Sequence, residues 1–272
     1  MIMNDRIVVA YTVDVAGPGA LQFCDQLVVS IYSLKKSRAA DDRLTVYVFY
    51  DNFSCEMMEK LSVLSDDGFT IKFRHIDSAA SALCQECSRR SASEAQRRFS
   101  GITFARYLLP KLLPESIERV VYIDADTMCR SSIKPLWDVQ LKDGNLIAAP
   151  LGVVPEYGFY SGTIVMDLKG MRNGDRSWDK FFAYARKEAY KFFLPDQTAM
   201  NRFFYGKIQQ IDSDWIFPPT PGKRDPEMEK ARMWHFYNGP KPVRINRDDA
   251  GAALIQWNNV LADAEEEIGM MK

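Results

Sequence analysis

The chain has 272 residues, 47% of them hydrophobic and 26% charged, which is enough to bury a substantial core in one large domain. Thirty-five basic residues nearly balance thirty-six acidic ones, which excludes the one-sided positive field that nonspecific nucleic-acid binding needs. No run reaches the about 18 apolar residues of a membrane span, so no transmembrane segment is expected. A soluble, cytoplasmic protein is expected instead, with loose membrane attachment through a partner or an acceptor lipid left open.

In chain order, the β-branched run Ile7 to Val13 predicts a buried first strand, with Asp5 and Arg6 before it arguing against a secretory leader. A helix follows Pro18, with Leu27, Ile31 and Leu34 on one face. Leu44 to Tyr50 reads as the second strand, Ser54 as the cap of a helix reaching about Leu64, and Phe69 to Ile76 as the third strand. Arg119 to Ile123 is the fourth. Strand-like pieces near Leu146 to Ala149 and Gly162 to Leu168 precede a helix from about Trp178 to Lys191. Pro218, Pro219 and Pro221 mark a loop, and Ala250 to Ala264 closes the chain as a helix. Strands alternating with helices predict βαβ units and a mainly parallel α/β sheet covered on both faces.

The five cysteines, at 24, 55, 84, 87 and 129, have no framework spacing. Cys84 and Cys87 form a single CxxC that no second CxxC or nearby histidine completes, so they read as reduced thiols.

The chemistry concentrates where the apolar run Val-Val-Tyr-Ile ends in Asp124-Ala125-Asp126. In open α/β sheets, ligands bind outside the carboxyl ends of strands. Side chains two apart on an extended segment point the same way, so both carboxylates can face one point. Crowded carboxylates repel unless a cation lies between them, and oxygen ligands suit Mg, Ca or Mn. By itself the tripeptide reads equally as turn and cap residues opening a loop.

The surrounding residues add to it. Thr103 to Trp137 carries Thr-Phe-Ala-Arg-Tyr-Leu-Leu-Pro, then Val-Val-Tyr-Ile-Asp-Ala-Asp, then Ile-Lys-Pro-Leu-Trp. Weaker echoes are Val-Ser-Ile-Tyr-Ser-Leu at 29 to 34, Ser-Gly-Thr-Ile-Val-Met-Asp-Leu at 161 to 168, Asp196-Gln197 with Asn201, and His235-Phe236 leading to Gly239 and Lys241-Pro242. In this order the chain resembles glycosyltransferase family 8, the glycogenins and bacterial lipopolysaccharide and cell-surface hexosyltransferases, over roughly residues 7 to 242.

That resemblance implies a single GT-A type domain over 1–272: a nucleotide-binding half of about 1–130, an acceptor-side half of about 131–246 and a C-terminal helix of about 247–268. It implies Asp124, Asp126 and His235 as metal ligands, with Mn2+ or Mg2+ the ion and a UDP-sugar, UDP-glucose or UDP-galactose, the donor. Ala125 lies between the carboxylates. Lys241, with Gly239 beside it, matches the family lysine on the diphosphate, and Arg106 the arginine near the donor sugar or phosphates. Asp196 and Gln197 match residues beside the anomeric carbon, with anomeric configuration retained and a carbohydrate-containing acceptor.

The chain departs from the family in particular places. Tyr11-Thr12-Val13-Asp14 stands where Asp-Asp-Asn-Tyr often grips uracil, which leaves Thr12 and Asp14 for the base. Tyr160 replaces an asparagine that meets the donor sugar, and Thr198 replaces an aspartate. Arg89, Arg90, Arg97 and Arg98 read as a solvated charge run or as a phosphate- or acceptor-binding flap. Trp215 to Pro219 reads as an aromatic acceptor wall or as core packing. A second reading is a nucleotide-sugar-binding protein that has lost turnover. A third, a sugar nucleotidyltransferase, lacks the basic glycine-rich loop, Gly17-Pro18-Gly19 being too short.

Overall fold

The computed structural model describes residues 6–15, 20–90, 101–152, 154–219, 226–237, 242 and 251–269. In chain order these form β1 (Arg6–Val13), α1 (Ala20–Ser37), β2 (Arg43–Tyr50), α2 (Cys55–Ser62), β3 (Phe69–His75) and α3 (Ser78–Arg89). A 3-10 segment, Gly101–Leu108, runs into α4 (Leu109–Leu112), followed by β4 (Arg119–Ile123), β5 (Thr127–Cys129), α5 (Lys134–Trp137), β6 (Ile147–Pro150) and β7 (Thr163–Asp167). Then come α6 (Leu168–Arg172), α7 (Trp178–Glu188), α8 (Pro195–Phe203), β8 (Ile208–Ile211), α9 (Pro226–Lys230), β9 (Met233–His235) and α10 (Ala252–Glu267).

Among the described residues, seven strands form one sheet in the order β3-β2-β1-β4-β7-β6-β8, while β5 and β9 pair as a small ribbon. β1, β2, β3 and β4 run parallel, as do β6 and β8; only β7 is antiparallel to its neighbours. Strand β1 shows no polar alternation because both its faces are covered. Ile7, Val9, Tyr11 and Val13 pack under α1 and α10 with Leu27, Ile31 and Trp257. Val8 and Ala10 pack on the other face with Phe104, Tyr107 and Phe181. Local caps set the helix starts: Ser54 Oγ accepts from Met57 N at 3.1 Å, and Asp77 Oδ1 accepts from Ala80 N at 2.8 Å.

The reversed strand matters for function. Because β7 runs against β4 and β6, its leading residues Tyr160, Ser161 and Gly162 lie at the same sheet edge as the carboxyl ends of β1, β4 and β6. The C-terminal helix begins at Ala252, later than expected, with Gly251 as its N-cap. The helix expected to reach Lys191 stops at Glu188, and a 3-10 turn, Ala189–Lys191, completes it.

Candidate active site

The segment Asp124-Ala125-Asp126 is not extended; it is a turn between β4 and β5. The two carboxylates converge all the same, because the turn is held on three sides. Asp124 N donates to Gly162 O at 2.8 Å. Thr127 Oγ1 donates to Asp124 O at 2.9 Å and contacts Ser30 Oγ at 2.8 Å, and Ser33 Oγ accepts from Cys129 N at 2.9 Å. The serines of the Val29 to Leu34 stretch thus anchor the strand that leaves the turn.

His235 arrives through the ribbon, where it is the partner of Thr127. Phe236 N donates to Asp126 O at 3.0 Å and His235 N to Phe217 O at 2.8 Å, which fixes the register. The imidazole is 1% exposed, with Nε2 2.8 Å from Asp126 Oδ1 and 3.8 Å from Asp124 Oδ2. One ligand atom from each of Asp124, Asp126 and His235 falls within 4.8 Å of the others. Two carboxylate oxygens and an imidazole nitrogen are a donor set that fits a divalent ion such as Mg2+ or Mn2+. Gly162 leaves room for it: a Cβ there would collide with Asp124 Oδ2 and lie 2.7 Å from His235 Cε1.

Arg106 ties this cluster to a second carboxylate. It is 3% exposed, with Nη2 3.1 Å from Asp124 Oδ1, Nε 3.5 Å from Asp196 Oδ2, and Nη1 donating to Ser161 O at 2.6 Å. Its guanidinium lies 4.4 Å from the centroid of the Tyr122 ring. Burial opposes its charge, but Asp124, Tyr122 and Asp196 outweigh that and raise its pKa well above the ordinary value. Asp196, in the first turn of α8, also accepts from Ser161 Oγ at 3.0 Å. Burial raises its pKa above that of an ordinary carboxyl, partly offset by Arg106.

Gln197 is buried beside it, its Nε2 donating to Tyr157 O at 3.2 Å. Thr198 Oγ1 accepts from Leu194 N at 3.1 Å, so the residue that departs from the family pattern closes the helix's own first turn. Tyr160 fills the other side of the cluster. Its hydroxyl is 3.3 Å from His235 Nε2, and its ring packs edge-on against His235 and 5.0 Å from Tyr237.

The base-side residues part company. Thr12 is buried, its hydroxyl 3.1 Å from Tyr122 OH and donating to Ile102 O at 3.3 Å. Since Tyr122 OH donates to Asp124 Oδ1 at 2.8 Å, Thr12 supports the cluster from beneath instead of facing a base, because even-numbered β1 side chains point to the face that Phe104 and Tyr107 cover. Tyr11 is fully buried on the opposite face with its hydroxyl on Ser30, which rules it out as a stacking ring. Asp14 stays near the strand end, its Oδ1 accepting from Asn52 Nδ2 at 2.9 Å. Ala125 is buried in the core. Gly239, Lys241, Arg97 and Arg98 lie outside the described residues. Trp215 and Ile216, 4% and 1% exposed, are core residues and not an acceptor wall.

Sequence reading missed Tyr122, Ser161 and Gly162 as parts of the site. The signal for Tyr122 was its place two residues before Asp124. Ser161 and Gly162 became relevant only through the reversed strand. A separate concavity of about 580 Å3, lined by Arg38, Arg43, Asp66 and Gly68, opens at the amino ends of β2 and β3, the far edge from the cluster.

The fold is that of GT-A glycosyltransferases. Over 99% of this chain it superposes on 52% of the apo bifunctional glycosyltransferase WbbM with a TM-score of 0.74 at 20% identity. Over 94% of the chain it superposes on 96% of galactosyltransferase LgtC, solved with donor and acceptor sugar analogues, with a TM-score of 0.71 at 19% identity. The chain belongs to glycosyl transferase family 8, whose sequence model matches residues 19–242. Among curated relatives, glycosyltransferase GlyB of Streptococcus pneumoniae is 28% identical over 124 residues, covering 44% of this chain and 30% of GlyB. The matched stretches span well under half the length of such relatives. Among the described residues, no helix is long and apolar enough to cross a membrane.

Proposed function

We propose that this chain is a cytoplasmic, divalent-metal-dependent retaining hexosyltransferase that takes UDP-glucose or UDP-galactose and glycosylates a saccharide, glycolipid or glycoprotein. The observation that carries this reading is the convergence of Asp124, Asp126 and His235 within 4.8 Å at the carboxyl edge of a GT-A sheet. When bound there, Mn2+ or Mg2+ would supply Lewis-acid stabilisation of the charge that develops on the diphosphate. Arg106 holds Asp124 and Asp196 in one ion-paired unit, so the ligand side and the sugar side keep a set spacing.

Asp196 accepts donor sugar hydroxyls in this reading. Gln197, its amide nitrogen donating to Tyr157 O, lines the β face of the oxocarbenium-like centre in this reading. Asp196 is already engaged by Arg106 and Ser161, which favours a front-face reaction without an enzyme nucleophile. A glycosyl adduct trapped on Asp196 or Gln197 would overturn that version.

The test is nucleotide release across UDP-, GDP- and ADP-sugars with and without manganese. Slow, manganese-dependent release of UDP from one or two donors is expected. One observation favours a second reading, a nucleotide-sugar binder without turnover: the Tyr160 hydroxyl stands 3.3 Å from His235 Nε2, inside the ligand cluster. Tight UDP binding without release from any donor would select it.

A further inference from the structure

The exposed aromatic surface of this site is not at Trp215. Tyr157 and Phe193 face solvent, 43% and 56% exposed, with their rings stacked at a centroid distance of 5.4 Å and an angle of 30°. Both belong to loops tied to α8, the helix that carries Asp196. Gln197 Nε2 holds the Tyr157 carbonyl at 3.2 Å. Asn201 takes both polar groups of Phe159, accepting from its N and donating to its O at 2.8 Å each. Gly158, at φ 73°, lies against that amide, where any Cβ would collide with Asn201. On the other side, Phe193 is followed by Leu194, whose N–H donates to Thr198 Oγ1. The backbone under both rings is therefore anchored, and the pair is a preformed surface, which lowers the ordering cost of binding.

Resting on the reading that Asp196 and Gln197 meet the donor sugar, we infer that Tyr157 and Phe193 form a stacking platform for a pyranose ring of the acceptor. A pyranose offers a C–H face to an aromatic ring while its rim hydroxyls stay hydrated, which suits an exposed ring pair better than a wholly apolar ligand. The platform is continuous with the donor side, since one glutamine side chain spans from the site to Tyr157. The rim is of mixed sign, with Glu156 beside Tyr157 and Lys191 two residues before Phe193, both exposed. An anionic bilayer would call for a basic excess.

Saturation-transfer NMR on the full chain with UDP and manganese tests this, using methyl glucosides, methyl galactosides, lactose and maltose as probes. Transfer to the ring protons of at least one probe is expected. Tyr157→Ala and Phe193→Ala should each weaken its binding about tenfold, while Phe193→Trp retains it and UDP affinity stays within about twofold. No transfer to any probe, or transfer unchanged in the double alanine variant, overturns the platform. So does a double variant that no longer sediments with phosphatidylcholine–phosphatidylglycerol vesicles yet still binds saccharide, which would assign the surface to lipid. Absence of nucleotide release from every donor sinks the proposed activity instead. Saccharide binding that is abolished by the alanine substitutions would still uphold the platform as a sugar site.

Discussion

Asp126 and Asp196 are carboxylates at the same sheet edge, on opposite sides of Arg106 and Asp124. Asp126 faces an imidazole, with His235 Nε2 at 2.8 Å, and sits in a turn fixed by the β5–β9 ribbon. Asp196 faces a guanidinium and a serine hydroxyl and sits at the start of a helix. The first environment collects negative charge that a cation can relieve. The second already contains its counter-charge, which in the proposed function leaves the carboxylate to position a neutral ligand by hydrogen bonds. In the proposed function, local charge balance, not residue type, separates the metal-holding aspartate from the sugar-holding one.

Three substitutions probe that contrast. The largest effect should come from Asp126→Asn, which removes a ligand oxygen without changing shape. Manganese affinity, followed by electron paramagnetic resonance, should fall steeply, and manganese-dependent UDP release should drop about a thousandfold. A variant that kept its full rate would end the assignment of the metal side.

Arg106→Met should act on both sides at once. It leaves Asp124 and Asp196 without their shared partner and should cost about 3–5 kcal/mol in urea unfolding, the range for breaking a buried ion pair. A cost below about 1 kcal/mol would mean that the two sides are held together by something else.

The smallest effect on stability is expected from Asp196→Asn, and its sign depends on pH. The folded-state pKa of Asp196 is raised by burial, so the folded chain holds this proton more tightly than the unfolded one. The stability it contributes is full below the unfolded value of about 3.9 and is lost as pH rises through the folded value. At pH 8 the variant should melt as high as wild type or a few degrees higher, and the gap should close toward pH 4. The variant should nevertheless lose nucleotide release. Melting well below wild type at pH 8 would contradict the view that this carboxylate is kept for the ligand at a cost to the fold.

Much of the site was legible in the residues because it follows short-range rules. Val120 to Ile123 had to be an interior strand, and its end had to lie on the ligand edge. The resemblance to a family then supplied His235, Arg106 and Asp196, which gather around Asp124, and Gln197, which follows Asp196 in α8. For other residues the sequence left the role open, for one reason: period and composition do not reveal which face of a strand or loop is covered. Tyr11 and Trp215 are aromatic and lie near the site in sequence, yet both are core side chains. Thr12 is polar, yet its hydroxyl is used on Tyr122.

The sequence by itself determined the alternation of strands and helices, the apolar strand that ends in Asp124 and Asp126, and the presence of a distant histidine of suitable chemistry. Only the tertiary structure decided how these meet. The reversed β7 brings Ser161 and Gly162 to the ligand edge, the β5–β9 ribbon closes the 109-residue gap between Asp126 and His235, and the α8 anchors leave Tyr157 and Phe193 in solvent. The physical reason is that strand direction, ribbon pairing and exposure are set by contacts between residues far apart in the chain, which no local pattern encodes.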